Sequence, residues 1–291
     1  MPHSDDHSDV AVRVDRMERA VARAIRDAGG EPLHLGRIPT PALAHCALGR
    51  SLPCIMITGS HNPPEYNGFK MVLGGSAFFG DRIRDVGVMA SAGDWEEGSG
   101  SVADEDVIDL YVDRLMRDFD GDAYRVGWDA GNGAAGPAVE KLTAKLPGEH
   151  HLLYTEVDSR FPNHHPDPTD EKNLADLQRL VKEKGLDFGF AFDGDGDRIG
   201  AVDSTGRVVW GDQIMMVLAE ALLADCPGAT IIADVKASRT LFDRIAELGG
   251  EPLMWKTGHS LIKAKMKETG APLAGEMSGH IFLAHRPTPS P

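Results

Sequence analysis

Two stretches of this sequence hold residue types at spacings suited to phosphoryl chemistry. The first is Asp193-Gly-Asp-Gly-Asp-Arg198, which directly follows the apolar run Phe188–Phe192. Three carboxylates spaced two apart repel one another unless a divalent cation sits among them. A set of hard oxygens without His or Cys favours Mg²⁺, with Ca²⁺ second. Gly194 and Gly196 allow the backbone to bend so that Asp193, Asp195 and Asp197 converge. An EF-hand is excluded by counting from Asp193, because its glycine position holds Arg198 and its final glutamate position holds Ser204. Arg198 can fork onto phosphate oxygens.

The second stretch is Thr58-Gly-Ser-His-Asn-Pro-Pro-Glu-Tyr-Asn-Gly-Phe-Lys70, placed after the apolar run Cys54–Ile57. Ends of strands are where α/β domains place ligands. Ser60 lies on a loop that Gly59, Pro63 and Pro64 are expected to hold. The serine-hydrolase elbow fails because Asn62 stands where Gly is needed. A serine also carries a phosphoryl group covalently, which splits one hard transfer into two easier ones. Lys70 is then placed to neutralise that group or move a proton. In Gly275-Glu-Met-Ser-Gly-His280, Glu276 and Ser278 can accept and donate hydrogen bonds as sugar hydroxyls require. Lys256-Thr-Gly-His-Ser260 opens a helix, with His259 or Ser260 near the N-cap, where the helix terminus favours a phosphate. Gly131-Asn-Gly-Ala-Ala-Gly136 fits the dinucleotide fingerprint, with Glu156 or Asp158 as its acidic partner, yet a tight structural turn is the expected reading.

These segments need elements to position them. Apolar spacing predicts helices over Arg16–Ala28, Val107–Phe119, Pro137–Lys145, Asn173–Lys184, Gly211–Ala224, Ser238–Leu248 and Ser260–Glu268. Strands are predicted near Pro32–Leu35, Cys54–Ile57, Arg125–Trp128, Leu152–Glu156, Phe188–Phe192, Thr230–Ala233, Pro252–Trp255 and Ile281–Leu283. Gly93–Gly100 reads as a linker. The alternation gives an α/β class with mostly parallel sheets. Gly29-Gly-Glu-Pro-Leu33 recurs as Gly249-Gly-Glu-Pro-Leu253, each time between a helix and a strand, which points to related domains.

Length and composition agree. The 291 residues suggest two or three domains, and 42% hydrophobic with 26% charged residues suits a globular chain. Lys+Arg 30 against Asp+Glu 45 gives a net charge of −15, which disfavours nucleic acid and anionic membrane partners. Three cysteines without CxxC spacing suggest a reducing, cytoplasmic setting. The acidic start has no secretory pattern, and no apolar run approaches the roughly 20 residues of a membrane span. The prolines of 285–291 suggest a domain that stops before its last elements.

Taken in order, Thr58-Gly-Ser-His-Asn-Pro-Pro, Phe161-Pro-Asn-His-His-Pro-Asp-Pro168, Asp193-Gly-Asp-Gly-Asp-Arg198, Lys256-Thr-Gly-His259 and Gly275-Glu-Met-Ser-Gly-His280 resemble the α-D-phosphohexomutase family, in its bacterial phosphomannomutase/phosphoglucomutase branch. The match runs from about Arg16 to Leu283. The resemblance implies three related α/β domains with mixed or parallel sheets around a cleft, and a fourth, C-terminal domain missing from this chain. Expected units are an atypical or disordered segment at 1–15, a phosphoserine-loop domain at 16–92, a metal-binding domain at 100–205 and a sugar-binding domain at 206–291. The first and last of these domains are expected to be incomplete.

The implied activity interconverts hexose 6-phosphate and hexose 1-phosphate, of mannose or glucose, through a phosphoserine and a 1,6-bisphosphate. Mg²⁺ is the implied cofactor, and glucose 1,6-bisphosphate the activator that phosphorylates Ser60. By motif, Asp193, Asp195 and Asp197 resemble the metal ligands, Arg198 a phosphate contact, and Lys70 and His259 the proton-transfer residues. Glu276, Ser278, Lys236 and His280 resemble substrate contacts, and Met277 the mannose/glucose branch. Val10–Arg16 has no clear equivalent of the family's opening strand. No oligomer is expected. The alternatives are a catalytically inactive sugar-phosphate-binding or interaction module and, more remotely, a dehydrogenase built on Gly131–Gly136.

Overall fold

The computed structural model describes residues 9–62 and 66–284. Met1–Ser8, Pro63–Glu65 and 285–291 lie outside the described residues, and with them the acidic tail, the two prolines expected to hold the serine loop, and the proline-rich end. The first unit runs α1 (Asp9–Asp27), β1 (Leu33–His34), α2 (Thr40–Arg50), β2 (Cys54–Thr58), β3 (Gly68–Leu73), β4 (Ser76–Phe78), α3 (Asp81–Ala92) and β5 (Ala103–Asp104). Helix α1 starts at Asp9 rather than Arg16, so residues 9–15 are helical. Its apolar stripe already includes Val14, which lines the same cavity as Val21 and Ile25.

This unit departs from the parallel arrangement. Strands β2, β3 and β4 form an antiparallel meander, while β1 pairs in parallel with β5. A cavity of about 1050 Å³ separates the two small sheets, lined by α1, β1, α2 and β2. The linker predicted at Gly93–Gly100 has no regular element, but it is fastened to the end of α1. Gly98 N–H donates to the Asp27 carbonyl at 2.7 Å and Gly100 N–H to that of Arg26 at 3.0 Å.

The second unit comprises α4 (Ile108–Met116), β6 (Tyr124–Asp129), α5 (Gly136–Thr143), β7 (Gly148–Leu153), a 3₁₀ turn at Glu171–Leu174, α6 (Ala175–Lys184), β8 (Phe188–Phe192), β9 (Ile199–Asp203) and β10 (Val208–Val209). Its sheet order is β10-β9-β8-β6-β7, parallel across β8, β6 and β7 and antiparallel across β9 and β10. The third unit follows as α7 (Gly211–Asp225), β11 (Thr230–Asp234), α8 (Arg239–Glu247), β12 (Glu251–Trp255), α9 (His259–Thr269), β13 (Leu273–Gly275) and β14 (Ile281–Leu283). Its order is β12-β11-β13-β14, with only β14 antiparallel. Buried side chains cover both faces of each of these two sheets, Leu177 and Val181 opposite Val126 and Val139 in one, Leu241 and Ile245 opposite Ile262 in the other. Among the described residues no helix is long and apolar enough to cross a membrane.

The repeated pentapeptide is one helix-ending turn used twice. Gly29 and Gly249 have φ +89° and +81°, the left-handed region that a Cβ disfavours. Gly30 N–H bonds back to Ile25 O at 2.8 Å, and Gly250 N–H to Ile245 O at 2.9 Å. The chain then turns into β1 or β12.

The central sheet carries its own packing device. Gly127 and Gly189 are paired neighbours on β6 and β8, and together they form a hollow filled by the fully buried Leu177 of α6. A Cβ on Gly189 would meet Leu177 Cδ1 at 2.7 Å and Val181 Cγ2 at 3.1 Å; one on Gly127 would meet Leu177 Cδ1 at 3.0 Å. Helix α6 therefore lies close against the strand that leads into Asp193. Gly189→Ala is expected to destabilise the chain by about 1–3 kcal/mol through overpacking. Leu177→Ala is expected to cost about 2–5 kcal/mol, and the double variant less than the sum, because the methyl would occupy part of the cavity. Urea unfolding of the three variants measures this; strict additivity would refute the shared hollow.

Candidate active site

Strand β2 ends at Thr58, and the chain turns sharply into Ser60, whose φ is +52°. Thr58 Oγ1 accepts the Ser60 N–H at 2.7 Å and steadies this turn. A non-glycine residue holds the left-handed region only where its surroundings fix it. The metal-loop backbone reaches this turn from the second unit. A Cβ on Gly194 would collide with the Ser60 carbonyl oxygen, so glycine is required for the approach. The Ser60 hydroxyl then donates to Asp193 Oδ2 at 2.5 Å, across 133 residues of sequence.

Asp193, Asp195 and Asp197 offer ligand oxygens all within 4.8 Å of one another. Asp193 and Asp195 are buried. Asp193 Oδ1 accepts the Asp197 and Arg198 N–H groups at 3.0 Å each, which closes the loop around the carboxylate. Burial, followed by the charges of Asp195 and Asp197, pushes the Asp193 carboxyl up to about 7. Burial acts the same way on Asp197, but the His280 hydrogen bond and the His280 and Lys70 charges outweigh it and hold this carboxyl well below its usual range. Lys70 Nζ donates to Asp195 Oδ2 at 2.6 Å and to Asp197 Oδ2 at 2.7 Å. Those two charges overcome the effect of burial and keep the Lys70 ammonium protonated above its ordinary range.

This donor set fits a hard divalent cation. Asp195 Oδ1 is buried and has no hydrogen-bond partner. An oxygen left bare among converging carboxylates is an unmet demand for a cation. Arg198 Nε is likewise buried and unpartnered, a donor suited to an anion. The two unmet demands, of opposite sign, lie in the same loop.

His61, which the sequence reading left without a role, joins Arg198 to the serine. Arginine only donates, so the 3.3 Å contact from Arg198 Nη1 requires His61 Nε2 to accept. The proton then resides on Nδ1 and is shared with Ser60 Oγ at 3.1 Å. Burial and the Arg198 charge lower the His61 pKa, in keeping with a neutral ring. The hydrogen bonds run in one direction, from Arg198 through His61 and Ser60 to Asp193. Its position beside Ser60 was the signal available in the sequence.

The third unit closes the site. His280 is buried, with Nδ1 2.6 Å from Glu276 Oε2 and Nε2 3.0 Å from Asp197 Oδ1. Burial opposes its charge, but hydrogen bonds to Asp197 and Glu276 raise its pKa, as two carboxylate acceptors demand a doubly protonated ring. Ser278 Oγ lies 3.3 Å from Glu276 Oε2. Gly258 is the N-cap of α9, with His259 and Ser260 directly after it as expected, and its N–H donates to Glu276 Oε1 at 2.5 Å. His259 is the first residue of α9, with its ring 5.8 Å from that of His280. Burial and then the nearby Lys263 and Lys70 charges lower its pKa. A cleft of about 260 Å³ is lined by Ser60, His61, Lys70, Arg198, His259 and His280 among others. Lys236 lies exposed in the turn after β11, and no hydrogen bond or ion pair joins it to these groups among the described residues.

The dinucleotide reading of Gly131–Gly136 fails on space. All three glycines face protein. A Cβ on Gly133 would meet the carbonyl oxygens of Gly194 at 2.8 Å and of Ala130 and Asp193 at 3.1 Å, one on Gly131 would touch Pro166, and one on Gly136 would strike Thr155 O. Ala134 N–H donates to Gly194 O at 2.9 Å. The segment buttresses the metal loop, and Phe161–Pro168 packs beside it, with His164 Nε2 2.9 Å from the buried Asp129.

Comparison with known proteins gives the same picture. The phosphoglucomutase/phosphomannomutase α/β/α domains I, II and III match residues 8–86, 109–206 and 210–289 in that order. A phosphomannomutase/phosphoglucomutase of Pseudomonas putida is 46% identical over 268 residues, covering 91% of this chain and 58% of the relative. A phosphoglucomutase of Neisseria gonorrhoeae is 42% identical over 270 residues, covering 91% and 59%. The crystal structure of a phosphoglucomutase/phosphomannomutase family protein from Burkholderia thailandensis superposes with a TM-score of 0.87 at 46% identity, covering 92% of this chain and 61% of that one. The chain thus spans somewhat under two thirds of the length of these relatives. With three consecutive domain matches and the site residues of all three units facing one cleft, the chain belongs to the phosphoglucomutase/phosphomannomutase family, the α-D-phosphohexomutases.

Proposed function

We propose that the chain takes part in interconverting hexose 6-phosphate and hexose 1-phosphate, with Ser60 as the phosphoryl carrier and Mg²⁺ held by Asp193, Asp195 and Asp197. The observation that carries this reading is the 2.5 Å contact between the Ser60 hydroxyl and Asp193 inside a cluster of three converging carboxylates. Mg²⁺ bound there would offset negative charge on the transferring group. Transfer breaks the bond from Ser60 Oγ to phosphorus and forms one to the free sugar hydroxyl, whose proton must leave. Lys70 and His259 line the cleft where that proton is released. The resulting 1,6-bisphosphate returns its other phosphoryl group to Ser60 after turning over. Glucose 1,6-bisphosphate would load the serine initially by the same step.

The remaining residues bind and orient. Arg198 offers its unpartnered Nε to phosphate oxygens, and His61 keeps the serine oxygen directed at Asp193. Glu276, Ser278 and His280 would read sugar hydroxyls by exchanging part of their mutual hydrogen bonds for contacts with them. Lys236, exposed in the turn after β11, would contact substrate on closure, and Met277 would follow the mannose/glucose branch.

Incubation with glucose 1,6-bisphosphate and Mg²⁺ is expected to add one phosphoryl group to the protein by intact mass. Ser60→Ala and Asp195→Ala are each expected to abolish it; an adduct that survives Ser60→Ala would remove the serine from this role. Metal binding should also report on Asp193. Because its carboxyl is pushed up to about 7, a proton competes with the cation below that pH and has departed above it. Apparent Mg²⁺ affinity, measured calorimetrically, is expected to be level above pH 7 and to fall toward about tenfold per pH unit below it. A flat profile from pH 5 to 7 would contradict the raised pKa of Asp193, while an Asp193→Asn variant that binds Mg²⁺ as the parent does would contradict its assignment as a ligand.

A further inference from the structure

The three ligand carboxylates differ in how they are held. Asp193 is fixed by backbone N–H groups of its own loop, and Asp197 by His280. Asp195 has no such support from its own unit. Its Oδ2 accepts from Thr40 Oγ1 at 2.9 Å and from Lys70 Nζ at 2.6 Å, and both donors belong to the first unit. Its Oδ1 is buried and accepts from nothing among the described residues.

Thr40 and Lys70 are unequal anchors. Lys70 sits on a flexible stem, shares its ammonium with Asp197 and lines the cleft, where a phosphoryl group would draw on it. Thr40 is the first residue of α2, between Pro39 and Pro41, and is β-branched, so its side chain has little torsional freedom. Its own N–H also donates to the Asp195 carbonyl oxygen at 2.8 Å. Pro39 packs against the same loop, since a Cβ on Gly196 would lie 3.0 Å from Pro39 Cβ. Backbone and side chain of Thr40 therefore grip both ends of Asp195.

We propose that Thr40 is a positioning residue for the metal ligand Asp195. By holding Oδ2, its hydroxyl fixes the carboxylate plane and turns the bare Oδ1 toward the cation. The inference rests on reading the three aspartates as a metal site. Groups that orient a metal ligand from behind typically contribute about 10–100-fold in metal affinity. Thr40 also makes metal binding depend on the docking of α2 onto the second unit, so the serine-bearing and metal-bearing units are matched in position before substrate arrives.

The test is a titration of the unphosphorylated full chain with Mn²⁺, with the free ion followed by EPR and Mg²⁺ added as competitor. Thr40→Val keeps the shape and the backbone hydrogen bond while removing the hydroxyl, and is expected to weaken binding about 10–100-fold. Thr40→Ser restores the hydroxyl and is expected to bind within about threefold of the parent, an ordering that a merely structural threonine would not produce. Asp195→Asn separates the two readings. If Asp195→Asn loses binding while Thr40→Val matches the parent, the role of Thr40 is overturned and the metal site stands. If Asp195→Asn binds as the parent does, the metal site itself falls, and the role of Thr40 with it. Unchanged circular dichroism and melting temperature in Thr40→Val establish that the loss is local.

Discussion

Three carboxylates brought within a few ångströms of one another and largely removed from water are the constraint on which the rest of this structure depends. Such a cluster is tenable only if cations and donors surround it. Each of the three units supplies at least one of these. Lys70 comes from the meander of the first unit, the loop's own N–H groups from the second, and His280 from the third. The shifted pKa values express the same balance: Asp193 is held up by burial and then by the charges of its neighbours, while His280 and Lys70 hold Asp197 down against its burial. In this loop, among the described residues, one carboxylate oxygen and one guanidinium nitrogen are left without partners, the pair of unmet demands that a metal-bound phosphoryl group would answer under the proposed function.

The surrounding architecture serves to make this convergence rigid. The Gly127–Gly189 hollow draws α6 against the sheet that carries Asp193. The turn at Gly131–Gly136 supports the metal loop from below, where any larger residue at 133 would press on its carbonyls. The Ser60 backbone lies so near Gly194 that the serine turn and the aspartate loop are placed by direct contact. Preorganisation of this kind lets electrostatic stabilisation act without rearrangement at the moment of transfer. Among the described residues, the third unit hydrogen-bonds to the acids through the His280 ring, which links Glu276 to Asp197.

Much of this was legible in the residues themselves. Strand β8 and the aspartate loop, the strand into the serine loop, and the alternating helices and strands of the second and third units follow from local periodicity and turn chemistry. The first unit was harder to read. Helix α2, the exposed α3 and the meander β3–β4 have weak periodicity, and the departure from parallel pairing depends on which strands meet rather than on what each strand prefers. Likewise, Gly131–Gly136 carries a true fingerprint in sequence and lacks only the space that other parts of the chain have filled.

The sequence by itself determined the chemical inventory: a serine on a sharp turn after a strand, three spaced acids after another, and a histidine-ended acidic turn near the end. These are short-range patterns, set by residues a few positions apart. Tertiary structure alone decided which way each group faces. The proton on His61 is assigned by an arginine 137 residues away, the Ser60 hydroxyl by a carboxylate 133 away, and the free oxygen of Asp195 by a threonine 155 away. Hydrogen-bond direction and carboxylate orientation depend on the final few tenths of an ångström between distant segments, which no local pattern of residue types records.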